Sequence, residues 1–422
     1  PSAGRVEDIH PPLMKLAAGV SWRIWRGISG DLVAFRSVSA LLFGVLLGAL
    51  FHWLSEAAGT VAGLAAVLCL GLMPRFFAHA HLVALDAPLA TLALLATYVY
   101  WRTVDRPGLR WAVPFGLLWG LALGVKNGGW LLPIGLVVWT LVYYRTWRHC
   151  ARLALAAVIA VLVSVAIWPW LYHDTPARLS EFFGFAFFGH ANLLSQHTYY
   201  LGQIYEKPPW HYPLIIAVAV VPLTILALIV VGMVWAGDRA ERQATGSAQA
   251  PQRVQRLHTL LLLSALGPML PFLLGLVAAY DGERLFLSSF PFLAALGGLG
   301  FARVQAMIWG LFWRYQPRLA ARRHNLRLRS VITVALFLVV FAWPLAAIVR
   351  LHPYELAYYS ELVGGITGAR RLGLETTFWP IRMLGDCART SSCRAPTRPT
   401  RQRRIWLWCR RANRATSRLS PA

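Results

Sequence analysis

An all-α, polytopic membrane protein is the fold class this sequence predicts, and three observations predict it. Of 422 residues, 57% are hydrophobic and only 14% charged, against roughly 45–50% and 25% in soluble domains. A bilayer core about 30 Å thick takes about 20 mostly apolar residues per helix. Apolar runs near 33–54, 57–73, 83–101, 111–125, 129–144, 152–170, 212–235, 259–280, 285–302 and 331–350 predict about ten spans. The net charge of +24 is carried almost wholly by arginine, since lysine occurs only at Lys15, Lys126 and Lys207.

The arginines set the orientation. Alternate connections hold Arg102, Arg106 and Arg110, then Arg145, Arg148 and Arg152, then Arg239 to Arg256, then Arg314 to Arg329. Cytoplasmic loops carry this excess of positive charge, so the remaining connections are expected outside the cell. A nucleic-acid partner is set aside, because no basic-aromatic binding module accompanies the charge. The five cysteines show no metal-ligand spacing, so no metal site is assigned and a divalent ion stays an open question.

The elements follow in order. Residues 1–32 read as an outer interfacial segment in which His10-Pro11-Pro12-Leu13 opens a helix, with Trp22 and Trp25 as interfacial anchors. Residues 33–350 form the transmembrane domain, with one long outer loop at 171–211. Residues 351–380 form a second outer segment. From 381 to 422 the pattern turns to Arg, Ser, Thr and Pro, which cannot build a packed core; a basic low-order tail and a shifted reading frame both account for it. The chain starts at Pro1, with neither signal peptide nor leading span, and reads as an N-terminally truncated fragment.

Candidate chemistry gathers in the outer connections. Glu7 and Asp8 precede His10. In Pro74-Arg75-Phe76-Phe77-Ala78-His79, continuing to Asp86, helical spacing puts His79, Leu82 and Asp86 on one face, with Asp86 just inside a span. An acid at that depth marks a functional or paired site, with Arg75 or Arg36 as the structural partners to consider. Lys126-Asn127 ends a span on the side where positive charge is scarce, which points to a bound anion. With Arg284 it makes a phosphate-holding pair, the arginine as a bidentate fork and the lysine as a point charge. The long loop carries Trp210 and His211 among aromatic rings, which suit both sugar faces and the membrane interface.

Taken in order, HPPLMKL, PRFFAHAHLVALDAPL, LALGVKNGGWLLP, EKPPWHYP, GERLFLSSFPFLAALGGLG and LHPYELAYYSELVGG resemble the glycosyltransferase family 39-like group. That group contains the protein O-mannosyltransferases and aminoarabinose transferases, which have the GT-C membrane fold. The likeness runs from about residue 8 to about 379. It implies a GT-C-type helical bundle in a bacterial inner membrane with its active face outward. It also implies transfer of a sugar, with inversion, from a polyprenyl-phosphate-linked donor to a protein or glycolipid acceptor. An acidic residue would take the acceptor's proton and cations would stabilise the leaving lipid phosphate.

In that family the acidic pair of the first outer loop lies upstream of HPPL, beyond the start of this chain, so Glu7 and Asp8 are substitutes by proximity alone. The expected site is therefore Asp86, Glu7 and Asp8 for catalysis, with His10, Arg75, His79, Lys126, Asn127, Arg284, Trp210 and His211 for substrate. A transporter or lipid flippase is the competing class. Its paired repeats and broken helices at the midplane are not what these edge-located polar residues suggest.

Overall fold

A computed structural model describes residues 10–184, 198–234, 250–315 and 325–376. The segments expected at 1–9 and 381–422, including Glu7 and Asp8, lie outside the described residues. Helix α1 (Leu13–Trp25) begins directly after Pro12, as HPPL predicts. It packs along α2 (Asp31–Ala58), where the Trp22 ring stacks on Phe35 at 5.7 Å and its indole donates to Asp31 at 2.8 Å.

The chain then runs back and forth. Helix α3 (Thr60–Gly71) bends by 78° into α4 (Pro74–Ala80). Proline at the first turn of α4 explains the break, because it cannot donate the hydrogen bond that would continue α3. Helices α5 (Asp86–Thr103), α6 (Ala112–Val125), α7 (Leu132–Tyr143) and α8 (Trp147–Ile167) follow. A short α9 (Thr175–Phe183) and an antiparallel hairpin, β1 (Thr198–Tyr200) with β2 (Gln203–Tyr205), occupy the long loop. Its two-residue turn, Leu201 and Gly202, has both φ values positive, the twist that suits a tight hairpin. Then come α10 (Tyr212–Val220), α11 (Leu223–Val234), α12 (Ala250–Leu266), α13 (Phe290–Tyr315) and α14 (Asn325–Leu351), with α15 (Gly365–Arg371) in the segment after the last apolar run.

Every apolar run predicted to span has a helix, but not every helix is a full span. Among the described residues five helices are long and apolar enough to cross a membrane, or six if the bent α3–α4 pair counts as one. The expected ten shrink because α7 has only 12 residues, and because the run at 212–235 is cut between α10 and α11 at Val221-Pro222. The 259–280 run is counted, through Gln252–Leu273, although α12 itself ends at Leu266 and Gly267–Met269 and Leu270–Leu273 are separate turns.

Small residues set the close crossings, as they do where helices pack in lipid. A Cβ on Gly232 in α11 would fall 1.9 Å from the Leu296 carbonyl oxygen of α13. One on Gly300 would fall 2.0 Å from the Leu228 carbonyl oxygen. Only glycine permits that approach, so the α11–α13 seam fixes how the second half of the bundle is assembled.

The back-and-forth path sorts the chain ends into two poles. The C-terminal ends of α2, α5 and α7 meet the starts of α8 and α12 at one pole. There Arg102 pairs with Glu56 at 2.7 Å, Tyr144 donates to Asp105 at 2.8 Å and Trp139 donates to the Arg256 carbonyl. This is the arginine-rich pole of the sequence. The opposite pole collects α4, the starts of α5 and α10, the end of α6, the turn before α13 and the segment after α14.

Candidate active site

The opposite pole holds a buried cluster of opposite charges, and local chain geometry explains how each member arrives there. Asp86 opens α5, where the helix dipole favours a negative charge. It is 1% exposed. Lys126 ends α6 in extended backbone, turning the chain towards Asn127–Leu131. That turn needs Gly129, because a Cβ there would lie 2.9 Å from the backbone of Ala122 and Leu123, and its carbonyl accepts the Trp119 indole at 3.0 Å. Asp281 and Gly282 both take positive φ, and this double left-handed turn launches the 3₁₀ turns that carry Glu283 and Arg284.

The cluster has two halves. In the first, Lys126 Nζ bonds one Asp86 oxygen and Arg284 Nε donates to the other at 3.0 Å. An outer nitrogen of Arg284 also reaches Asp281 at 2.9 Å. In the second half, Arg75 donates to Glu283 at 2.8 Å and to the Tyr358 carbonyl at 2.8 Å. Its guanidinium lies 4.3 Å from the centre of the Tyr359 ring. His79 Nε2 is 3.4 Å from the other Glu283 oxygen. Arg75, His79 and Glu283 are all buried. Charges at this depth persist only when paired.

The arrangement brings together Arg75, His79, Asp86, Lys126 and Arg284 from the predicted set, and it corrects two expectations. Asp86 does not pair with Arg75 or Arg36; Arg75 is taken by Glu283. His79, Leu82 and Asp86 do not share one helix, because α4 ends at Ala80 and α5 starts at Asp86. Two cations, Lys126 and Arg284, hold the two oxygens of Asp86.

The remaining candidates lie at the margins. Asn127 stands next to Lys126, and both polar atoms of its amide are closed to solvent and bonded to no protein atom. His10 is exposed ahead of α1. His211 Nδ1 and the Tyr200 hydroxyl share a hydrogen bond, 2.8 Å apart. Burial, with the neighbouring Tyr205, pushes the Tyr200 phenol up to about 12, so it stays protonated at neutral pH. Trp210 beside His211 is 62% exposed. Sequence reasoning missed Glu283, although it lies in the same short turn as Arg284; an acid two residues from the apolar run of α13 was the available signal. Tyr359 was missed as well. Among the described residues no group of three or more His, Cys, Asp or Glu side chains is placed to hold a metal ion.

Comparison with known proteins fits this geometry. Residues 9–173 match the family described as dolichyl-phosphate-mannose-protein mannosyltransferase, the part of the chain that carries HPPL, Arg75, Asp86 and Lys126. The fold is similar to that of ArnT from Cupriavidus metallidurans in the apo state, with 19% identity and a TM-score of 0.51 over 93% of this chain and 71% of that one. The same enzyme bound to undecaprenyl phosphate gives 19% identity and 0.49 over 92% and 71%. The archaeal oligosaccharyltransferase AglB from Archaeoglobus fulgidus, in complex with an inhibitory peptide and a dolichol-phosphate, gives 13% and 0.45 over 87% and 48%. No curated protein sequence matches.

The chain is thus a helical integral membrane protein whose fold is similar to that of a GT-C membrane enzyme, as the resemblance carried by its motifs implies. Over residues 9–173 the family it resembles is that of the protein mannosyltransferases.

Proposed function

We propose that the protein transfers a sugar from a polyprenyl-phosphate-linked donor to a hydroxyl acceptor, a protein side chain or a glycolipid, at the extracytoplasmic face of a bacterial inner membrane. The observation that carries this reading is the pair of cations, Lys126 and Arg284, anchored on the single buried carboxylate of Asp86. Preorganised cations in a site that excludes water act where negative charge develops. In glycosyl transfer from a lipid phosphate, that charge develops on the departing phosphate. The acceptor oxygen bonds the anomeric carbon from the face opposite the phosphate, the carbon–oxygen bond to phosphate breaks, and the configuration inverts.

Lys126 and Arg284 receive the phosphate, and Asp86 keeps both oriented before it arrives. Arg284, 19% exposed, and Lys126, 12% exposed, are the cations of the cluster nearest to solvent, whereas Arg75 is sealed by Glu283 and Tyr359. The unpartnered Asn127 amide offers a donor and an acceptor for a phosphate or sugar oxygen. Trp210 offers an exposed aromatic face for the sugar or lipid, with His10 and His211 at the same pole. Glu7 and Asp8 are retained as candidates to take the acceptor's proton. The family match, named for a dolichyl-phosphate-mannose donor, supports a lipid-phosphate sugar as the substrate class.

The test is transfer of labelled sugar from polyprenyl phosphate by the full-length protein in membranes. Lys126→Ala and Arg284→Ala are each expected to lower transfer by a factor of roughly 10²–10³. Unchanged transfer in both would remove the phosphate assignment.

A further inference from the structure

The arginine-rich pole contains a cavity that the sugar-transfer reading does not use. Its volume is about 440 Å³, and it lies between the loop joining α5 to α6 and the start of α8. Three arginines line it: Arg106, Arg148 and Arg152. The acidic residue in its wall, Asp105, already accepts the Tyr144 hydroxyl at 2.8 Å. Among the described residues neither Arg106 nor Arg148 has a carboxylate partner. Arg106 instead lies 4.5 Å from the centre of the Trp111 ring, which steadies the guanidinium without neutralising it.

Two further features point to an anion. Arg152, 5% exposed, spends its terminal nitrogens on backbone carbonyls, while its Nε is buried and bonds no protein atom. The first turn of the 21-residue α8 also opens here, at Trp147 and Arg148, so the positive end of a long helix dipole adds to the arginines.

The rim indicates what carries the anion. Trp147 is 73% exposed and Leu109 45% exposed, both lining the cavity at a pole where transmembrane helices end. Tryptophan at that level is an interfacial anchor. A basic pocket between helix ends at the membrane surface is chemistry for a lipid head group. We propose that this cavity binds the phosphate group of an anionic phospholipid, with Arg106 and Arg148 on the phosphate and the acyl chains beside Trp147 and Leu109.

The full-length protein in detergent is titrated with phosphatidylglycerol, phosphatidylcholine and inorganic phosphate, following bound lipid by native mass spectrometry and the unfolding temperature. Phosphatidylglycerol is expected to bind and raise the unfolding temperature. Arg106→Ala/Arg148→Ala should weaken it roughly tenfold or more, with an unchanged lipid-free unfolding temperature. Arg329→Ala, at the same pole but outside the cavity, should bind as the parent does. Equal binding of phosphatidylcholine would overturn the proposal, as would undiminished phosphatidylglycerol binding by the double variant. Saturation by inorganic phosphate at the same concentration would mark a small-anion site and overturn the lipid assignment.

Discussion

Arginine does two different jobs at the two poles of this molecule, and the difference lies in its partners. At one pole Arg152 donates to four backbone carbonyls, those of Thr103 at 3.0 Å, Val104 at 2.9 Å, Arg106 at 2.6 Å and Gly108 at 3.3 Å. These oxygens all lie between residues 103 and 108, so one side chain staples the end of α5 to the loop that follows it. At the other pole Lys126 and Arg284 are held by carboxylates, Asp86 and Asp281. A cation paired with a side-chain anion can accept a second anion by rotating part of its donor set, and Arg284 already divides its donors between two. Burial alone does not separate these two kinds of cation; the chemistry of what each bonds does.

The comparison sharpens into variants. The largest expected effect is on turnover: Lys126→Met and Arg284→Met should each lose two to three orders of magnitude in sugar transfer, about 2.7–4 kcal/mol of transition-state stabilisation, measured by initial rates in membranes. The next is on stability. Arg152→Met removes a donor from each of four backbone carbonyls and should lower unfolding stability by about 3 kcal/mol, read by thermal unfolding in detergent, while transfer per folded molecule stays near that of the parent. Asp86→Asn should fall between the two. It keeps the shape but gives up the charge that orients both cations, so the Michaelis constant for donor should rise along with a fall in turnover.

The smallest expected effect concerns a third kind of polar contact. Burial acts to raise the Glu361 carboxyl, but donation from the Trp343 indole, its own backbone, the Leu223 amide and the Tyr358 hydroxyl holds it below its ordinary value. A depressed folded value means that its contribution is complete above the unfolded value near 4.3 and is lost as pH falls through the folded one. Glu361→Gln should remove that acid-side component from the pH–stability profile and leave transfer at neutral pH unchanged.

How much of this was legible in the sequence depends on the range of the interaction. Helix positions were visible as apolar runs, and the two poles as alternating arginines, because both are local signals. The HPPL start of α1 and the Gly-Gly turn after Asn127 were visible for the same reason. Span count was not: Pro222 and Pro74 break their helices, and the length of α7 falls short. Lys126 and Arg284 were identified as cations on the wrong side for the positive-inside rule, but their shared partner Asp86 lies 40 and 198 residues away. Only tertiary structure reveals that the aspartate is spoken for. The Arg75–Glu283 pair, 208 residues apart, and the carbonyl staple on Arg152 were equally invisible, since backbone acceptors leave no trace in composition.

The most direct test of the central claim is equilibrium binding of polyprenyl phosphate, without sugar, to the full-length protein and to Lys126→Met, Arg284→Met and Arg152→Met. Each charge-assisted contact to the phosphate is worth about 1.5–3 kcal/mol, so the first two variants should bind roughly ten- to a hundredfold more weakly, and Arg152→Met should bind as the parent does. Parental affinity in the Lys126 and Arg284 variants, or a loss in Arg152→Met as large as theirs with the fold intact, would contradict the assignment of the phosphate to the Asp86-anchored cations.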